Sequence, residues 1–109
     1  GRVDIMQYAI VLVNLDPTVG SEIKNTRPCV VISPNEMNQH LHTVVLAPMT
    51  TNLKKYPTRV PVKHQRKSGM IAIDQIRTVD KSRVLKVYKK LSNTEIESCK
   101  AVIKEAFVD

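Results

Sequence analysis

A mainly β fold, a small and strongly curved antiparallel sheet or partly closed barrel with a C-terminal helix, is the class this sequence predicts. Three observations predict it. Apolar residues make up 42% of the 109 residues but aromatics only 4%, with no Trp, so the core must be built from Val, Ile and Leu; such a core leans towards strands. Five or six short apolar runs follow one another with turn signals between them. From Ser92 the apolar spacing changes to that of a helix.

One domain is expected, because a chain of this size buries only roughly two-thirds of the surface its unfolded form exposes. Gly1 to Ile5, ahead of Met6, reads as an appended tail, leaving residues 6–109 as the domain. Ala9 to Leu15 is almost continuously apolar and β-branched, the pattern of a buried strand, and Asp16-Pro17-Thr18-Val19-Gly20 ends it in a loop reaching about Thr26. Cys29 to Ser33 and Thr43 to Pro48 read as two central strands, separated by a polar stretch around Pro34 and Asn35 with room for a short helical turn. Thr58 to Lys63 alternates imperfectly, and Pro61 lacks an amide donor, which predicts an edge or a bulge. Met70 to Asp74 reads as a further strand reached through Ser68-Gly69. Thr78 to Lys90 holds a turn, a short helix and a last strand around Val84 to Val87.

In the terminal helix Ile96, Cys99, Val102, Ile103, Ala106 and Phe107 fall on one face. Ser92 with Glu95 three positions on forms a capping-box pattern, and Leu91 can pack on Ile96 as a staple. No run approaches the ~18 apolar residues of a membrane span, so a soluble, cytoplasmic protein is expected.

Cys29 and Cys99 lack CxxC spacing, which indicates neither a zinc site nor a disulfide framework; both are expected reduced and buried. His40 and His42 could share a strand face, but a zinc site wants three or four ligands and no partner set is visible. No metal and no cofactor are expected. Seventeen Lys and Arg against ten Asp and Glu give a formal net charge of +7, which favours a polyanionic or acidic partner. From Met37 to Ile73 there is no carboxylate, while Lys54, Lys55, Arg59, Lys63, Arg66 and Lys67 surround His64. A solvated, solubilising surface would have the same composition.

The densest polar cluster is Gly20-Ser21-Glu22-Ile23-Lys24-Asn25-Thr26-Arg27-Pro28. An Arg at the rim of a strand can present a planar fork to a phosphate, and the following Pro holds it extended. An ordinary surface ion pair between Glu22 and Arg27 is the plainer alternative.

Asn14-Leu15-Asp16-Pro17-Thr18-x-Gly20-Ser21-Glu22, followed by Thr26-Arg27-Pro28-x-Val30-Val31-Ile32-Ser33, resembles the signature opening of the MazF/PemK/Kid toxins. Pro48-Met49-Thr50-Thr51 with Tyr56-Pro57 is similar to the family's third-strand segment, and Asp74-Gln75-Ile76-Arg77-Thr78-Val79-Asp80 to its next motif. Order and spacing agree over roughly Ala9 to Leu91. The resemblance implies an SH3-like curved barrel of the CcdB/MazF/PemK type, a homodimer, and RNA cleavage that leaves a cyclic phosphate and a free 5′-hydroxyl. It carries the main catalytic roles over to Arg27 and Thr50, with Glu22 matching an acidic residue implicated in some members. Asp74, Gln75 and Arg77 match the fourth motif, where RNA contacts or support of the site are expected. The pattern is broken at Tyr8-Ala9, where the family has Gly-Asp or Gly-Glu. One branch has His where this chain has Ser21 and Arg where it has Ala72, so a mechanism resting on those two groups does not transfer.

Cleavage by the neighbouring 2′-hydroxyl needs a base, a stabiliser of charge on phosphorus and a donor for the leaving oxygen. An arginine stays protonated at any physiological pH, so Arg27 is assigned to the phosphoryl oxygens and the leaving group, and Glu22 is the candidate base. Thr50 can donate to a non-bridging oxygen, or simply satisfy a backbone carbonyl at a strand end. Ser21, Lys54, Lys55, Arg59, His64, Asp74, Gln75 and Arg77 are the candidate contacts to single-stranded RNA. The resemblance further implies a cognate antitoxin with an acidic, disordered segment. Two other readings stay open: a same-fold toxin acting on DNA gyrase, and a non-catalytic module that binds nucleic acid or protein.

Overall fold

A computed structural model of the chain describes residues 4–23 and 25–108. Residues 1–3, on which part of the expected tail falls, and Lys24 of the polar loop lie outside the described residues. The elements are β1 (Ala9–Asn14), β2 (Thr26–Val31), α1 (Asn35–His40), β3 (Thr43–Thr50), β4 (Arg59–His64), β5 (Lys67–Ala72), β6 (Arg77–Asp80), β7 (Val84–Lys90) and α2 (Asn93–Phe107), with 3₁₀ turns at Ile73–Gln75 and Lys81–Arg83. Among the described residues no helix is long and apolar enough to cross a membrane.

Every strand pairing is antiparallel. Six strands run in the order β4-β5-β3-β2-β1-β7, and β6 joins β3 off that path. β3 organises the molecule because its two halves have different neighbours on one side: Thr43 to Leu46 pair with β6, whereas Met49 and Thr50 pair with Ile71 and Met70 of β5.

The curl of this sheet buries both of its faces. Val11, Val13, Leu15, Cys29, Val31, Leu46 and Val79 form the inner core of a small barrel built from β7, β1, β2, β3 and β6. On the opposite face Ile10, Val30, Ala47 and Met49 pack with Val60, Val62 and Ile71 of the β4–β5 hairpin and Cys99 of α2. Successive strand residues point to opposite faces, so a strand covered on both sides must be apolar throughout; that accounts for the unbroken run in β1. Burying one such Val, Leu or Ile side chain contributes about 1.5–3 kcal/mol.

The capping box of α2 is present: Ser92 Oγ accepts the Glu95 N–H at 3.2 Å and Glu95 Oε1 accepts the Ser92 N–H at 2.9 Å. The other Glu95 oxygen accepts the Lys63 N–H of β4 at 3.0 Å, tying the helix to an edge strand. Leu91 and Ile96 join the same apolar cluster, as the staple requires. The apolar stripe is shorter than its sequence suggests. Cys99 is buried and Val102 and Ile103 are half-buried, but Ala106 and Phe107 are exposed, because the helix runs past the sheet that would cover them.

Several boundaries differ from those expected. β2 begins at Thr26 rather than Cys29, since its first residues pair with β1 alone and β3 joins only from Cys29 onwards. β5 begins at Lys67, and the hairpin turns at Gln65 and Arg66, whose φ angles of 51° and 65° are left-handed. Gly69 is therefore a strand residue and not a turn: a Cβ there would lie 3.0 Å from the Thr50 carbonyl oxygen, so the glycine allows β5 to approach β3. Asp74, expected to end that strand, sits instead on a 3₁₀ turn with Gln75. Pro61 does lie on an edge strand, exposed, as its missing donor demands.

Candidate active site

The loop between β1 and β2 is held in shape by its own polar groups. Asp16 Oδ1 accepts the Asn25 N–H at 3.0 Å across the loop mouth, and Gly20 supplies a left-handed residue with φ 63°. The Glu22 carboxylate accepts the Val19 N–H at 2.8 Å, which holds the exposed acid in a tight turn. Gln75 Oε1 accepts the Ile23 N–H at 2.7 Å, joining the loop to the first 3₁₀ turn. Arg77 donates to the Leu15 carbonyl at 3.2 Å on the same side.

Arg27 is half-buried on β2 and donates from Nη1 to the Met49 carbonyl at 3.2 Å. That bond brings its guanidinium to the residue before Thr50, next to the point where β3 leaves β2 and pairs with β5. Thr50 ends β3, and its hydroxyl oxygen accepts the Asn52 N–H at 3.2 Å. The expected alternative for Thr50 was a bond to a carbonyl; here its oxygen is the acceptor, so its hydrogen can be directed outwards. Two residues on from Arg27, Cys29 is fully buried, and burial pushes its thiol pKa up to about 12, against the opposing pull of Arg27 and Arg77.

A pocket of about 180 Å³ brings together Glu22, Asp74, Gln75 and Arg77, with Pro48 in its wall. Four of the residues singled out from sequence thus share one cavity, and Pro48 connects it to the strand that carries Thr50. Asp74 forms a two-pronged ion pair with Arg59, Nε to Oδ1 at 2.8 Å and Nη2 to Oδ2 at 3.3 Å, and accepts the Thr58 hydroxyl at 3.0 Å. The Arg59 guanidinium beside it holds the Asp74 carboxyl below the ordinary carboxylate value. Lys54 and Lys55 are exposed on the segment after β3, and Ser21 is exposed on the β1–β2 loop.

His64 is not brought to this site. It lies at the far end of β4, half-buried, with its ring edge-on to Tyr88 of β7 at 4.7 Å and 68°. Burial lowers its pKa, and Nε2 has no hydrogen-bond partner among the described residues. His40 and His42 lie at the opposite ends of the barrel strands from Arg27. Among the described residues no group of three or more His, Cys, Asp or Glu side chains converges to hold a metal ion.

Residues 6–107 match the family described as PemK-like, MazF-like toxin of type II toxin-antitoxin system. The chain belongs to this family. The endoribonuclease toxin MazF of Escherichia coli K12 is 36% identical over 70 residues, covering 64% of this chain and 63% of that protein, so the match spans less than two-thirds of the relative's own length. MazF of Deinococcus radiodurans superimposes with a TM-score of 0.85 over 95% of this chain and 96% of that one, at 23% identity. An endoribonuclease in complex with its cognate antitoxin from a mycobacterial species gives 0.79 over 94% and 93%, at 18% identity. These two likenesses are of fold.

Within a MazF-like toxin the unusual Tyr8 now has a structural reading. Its φ is 65°, a backbone conformation that the expected glycine adopts without strain and that costs other residues about 1–3 kcal/mol. Two backbone bonds hold it there: Tyr8 N–H to the Val31 carbonyl at 2.7 Å, and Leu91 N–H to the Tyr8 carbonyl at 2.9 Å. Sequence reasoning passed over Tyr56 as a contact residue. It is 42% exposed, and Lys54 Nζ and Arg59 Cζ each lie 5.2 Å from its ring centroid. Its signal was to be the one aromatic in the carboxylate-free basic segment.

Proposed function

We propose that the protein is a metal-independent endoribonuclease, the toxin of a toxin–antitoxin pair, that cleaves single-stranded RNA by 2′-hydroxyl attack to leave a 2′,3′-cyclic phosphate and a 5′-hydroxyl. The observation that supports this reading is the bond from the Arg27 guanidinium to the Met49 carbonyl at 3.2 Å, one residue before Thr50. A guanidinium presents five donors in a planar fork, and the bond to the Met49 carbonyl sets its direction. Arg27 holds the non-bridging oxygens and hydrogen-bonds the departing 5′-oxygen, which takes its proton from solvent water. Thr50, its oxygen oriented by Asn52, donates to a non-bridging oxygen. Glu22 takes the proton of the 2′-hydroxyl, so the base and the charge clamp are both side chains of this chain.

Lys54 and Lys55 would draw the RNA backbone across the site, with Ser21, Gln75 and Arg77 at its rim and the Tyr56 ring as a stacking surface for a base. Arg59 and Asp74 neutralise each other and act by holding the 3₁₀ turn in place. On this reading the toxin works in the cytoplasm as a homodimer. It is restrained by an antitoxin with an acidic, disordered segment, for which the net charge of +7 is suited.

The test is incubation of purified protein with mixed-sequence RNA in EDTA, with Arg27→Ala and Arg27→Lys in parallel and the fragment ends mapped. Cuts bearing cyclic phosphate ends, reduced ~10²-fold or more in both variants, are expected, since losing one donor to a developing anion costs ~10² to 10³ in rate. Undiminished cleavage by Arg27→Lys, DNA breaks that need gyrase, or retention of RNA without cuts would overturn it.

A further inference from the structure

We infer that Arg83 is a positioning residue for RNA cleavage, fixing the root of the β1–β2 loop and through it Glu22, a role that rests on the nuclease reading above. The register between β1 and β7 ends at Val13 opposite Val84. Where the two strands part, the half-buried Arg83 takes the place of β7: its Nη1 donates to the Asp16 carbonyl and, at 3.5 Å, to the Asn14 carbonyl. Residues two apart in an extended segment direct their carbonyls to one side, so a single nitrogen serves both. The carbonyl between them, that of Leu15, accepts Arg77 Nη1 at 3.2 Å. Three successive carbonyls at the root of the loop thus bond to two guanidinium groups, and bonds from a charged donor are roughly twice as strong as neutral ones.

Arg83 is itself held from behind. Asp80 Oδ1 accepts the Ser82 N–H at 2.8 Å, which shapes the 3₁₀ turn Lys81–Arg83, and the Lys81 N–H donates to the His42 carbonyl at 2.9 Å, tying that turn to the residue before β3. The guanidinium therefore reaches the loop from a fixed support. From Asp16 the constraint passes onwards. Asp16 Oδ1 closes the loop mouth through the Asn25 N–H at 3.0 Å, and the Asp16 N–H donates to Asn14 Oδ1 at 3.1 Å, so the residue that closes the loop is one whose carbonyl Arg83 holds. Glu22 lies between these two mouth residues, exposed, and Gln75 secures the neighbouring Ile23. Without Arg83 the loop keeps that tether while its root is released to turn. A carboxylate that has to meet a 2′-hydroxyl within hydrogen-bond reach tolerates little such rotation.

The test compares the full chain with Arg83→Met, which keeps the apolar stem and removes the donor, and Arg83→Lys, which keeps one donor nitrogen. Amide hydrogen exchange is followed at Val19 and Asn25, the two loop amides bonded to carboxylates, with residues 44–47 of β3 as the control for the fold. Cleavage of mixed-sequence RNA in EDTA is measured in parallel, with each Arg83 variant alone and combined with Glu22→Ala. Arg83→Met is expected to speed exchange at Val19 and Asn25 but not at 44–47, and to lower kcat ~10²-fold at unchanged KM, the scale of a misplacement of about 1 Å. In the Glu22→Ala background it should have no further effect, since both changes act on one group. Arg83→Lys should recover both readouts. Unchanged loop exchange, a loss that persists in full beside Glu22→Ala, or a raised KM with a weaker salt dependence, the mark of a lost phosphate contact, would overturn the role. A parent that cuts no RNA sinks the nuclease reading and this role together, whereas an active parent matched by Arg83→Met sinks this role alone.

Discussion

The side-chain oxygen of Gln75 accepts the backbone N–H of Ile23 at 2.7 Å, across fifty-two positions of sequence. Through that bond the 3₁₀ turn fixes the loop that carries Glu22, and Ile23 packs on the inner core beside it. Gln75→Ala leaves a half-buried donor unsatisfied, about 1–3 kcal/mol, and is expected to lower both stability and RNA cleavage. Gln75→Glu retains an acceptor and should restore both. If Gln75→Glu matches the parent in thermal unfolding yet stays as slow as the alanine variant, Gln75 acts on RNA directly and not on the loop.

Gly69 sets how closely β5 approaches the end of β3. A methyl group at that position would meet the Thr50 carbonyl oxygen at 3.0 Å. Gly69→Ala should therefore lose about 1–3 kcal/mol, as overpacked sites do, and should slow cleavage well below its unfolding temperature because Thr50 is displaced. Denaturant titration with cleavage rates checks this; parent-like values in both would refute the close-approach argument.

The Arg59–Asp74 pair predicts an acid-sensitive contribution. Hydrogen bonding from Arg59 lowers the Asp74 pKa from 3.8, so the unfolded chain binds the proton more readily. The stabilisation is complete above 3.8 and lost as pH falls through the lower folded value. With Asp74 about a third exposed and Arg59 12% exposed, Asp74→Asn should cost about 1 kcal/mol at neutral pH. The gap between parent and variant should close in acid; a gap constant from pH 7 downwards would show that the charge is irrelevant.

His64 predicts a second pH effect at milder acidity. Burial against Tyr88 lowers its pKa from 6.5, so the neutral ring is the form the fold accepts. Stability is then full above 6.5 and declines as pH falls from that value towards the lower folded one, because the unfolded chain takes up the proton first. His64→Phe keeps the ring contact without the titration and should flatten unfolding midpoints between neutral and mildly acidic buffers. An unchanged slope would place the pH response elsewhere.

Much of the fold was legible because its signals are local. Ser92 and Glu95 lie three residues apart and form their cap whatever the rest of the chain does. β1 and β3 announce burial on both faces by having no polar alternation. The candidate site was legible as a set of motifs, and Arg27, Thr50 and Glu22 were nameable before any coordinates. The Gln65-Arg66 turn was not, since neither residue is one that favours positive φ, and the adjacent Ser68-Gly69 is the stronger turn signal.

Residue order alone determined which segments are apolar, where the terminal helix starts and which polar groups are candidates for chemistry, since each depends on neighbours a few positions away. Only tertiary structure decided that Arg59 is neutralised by Asp74, that His64 belongs beside Tyr88, that Gln75 holds the Glu22 loop, and that β7 stands at the end of the strand order. These are matters of pairing register and burial, set by groups that meet across fifteen or more positions of sequence, and no local spacing encodes them.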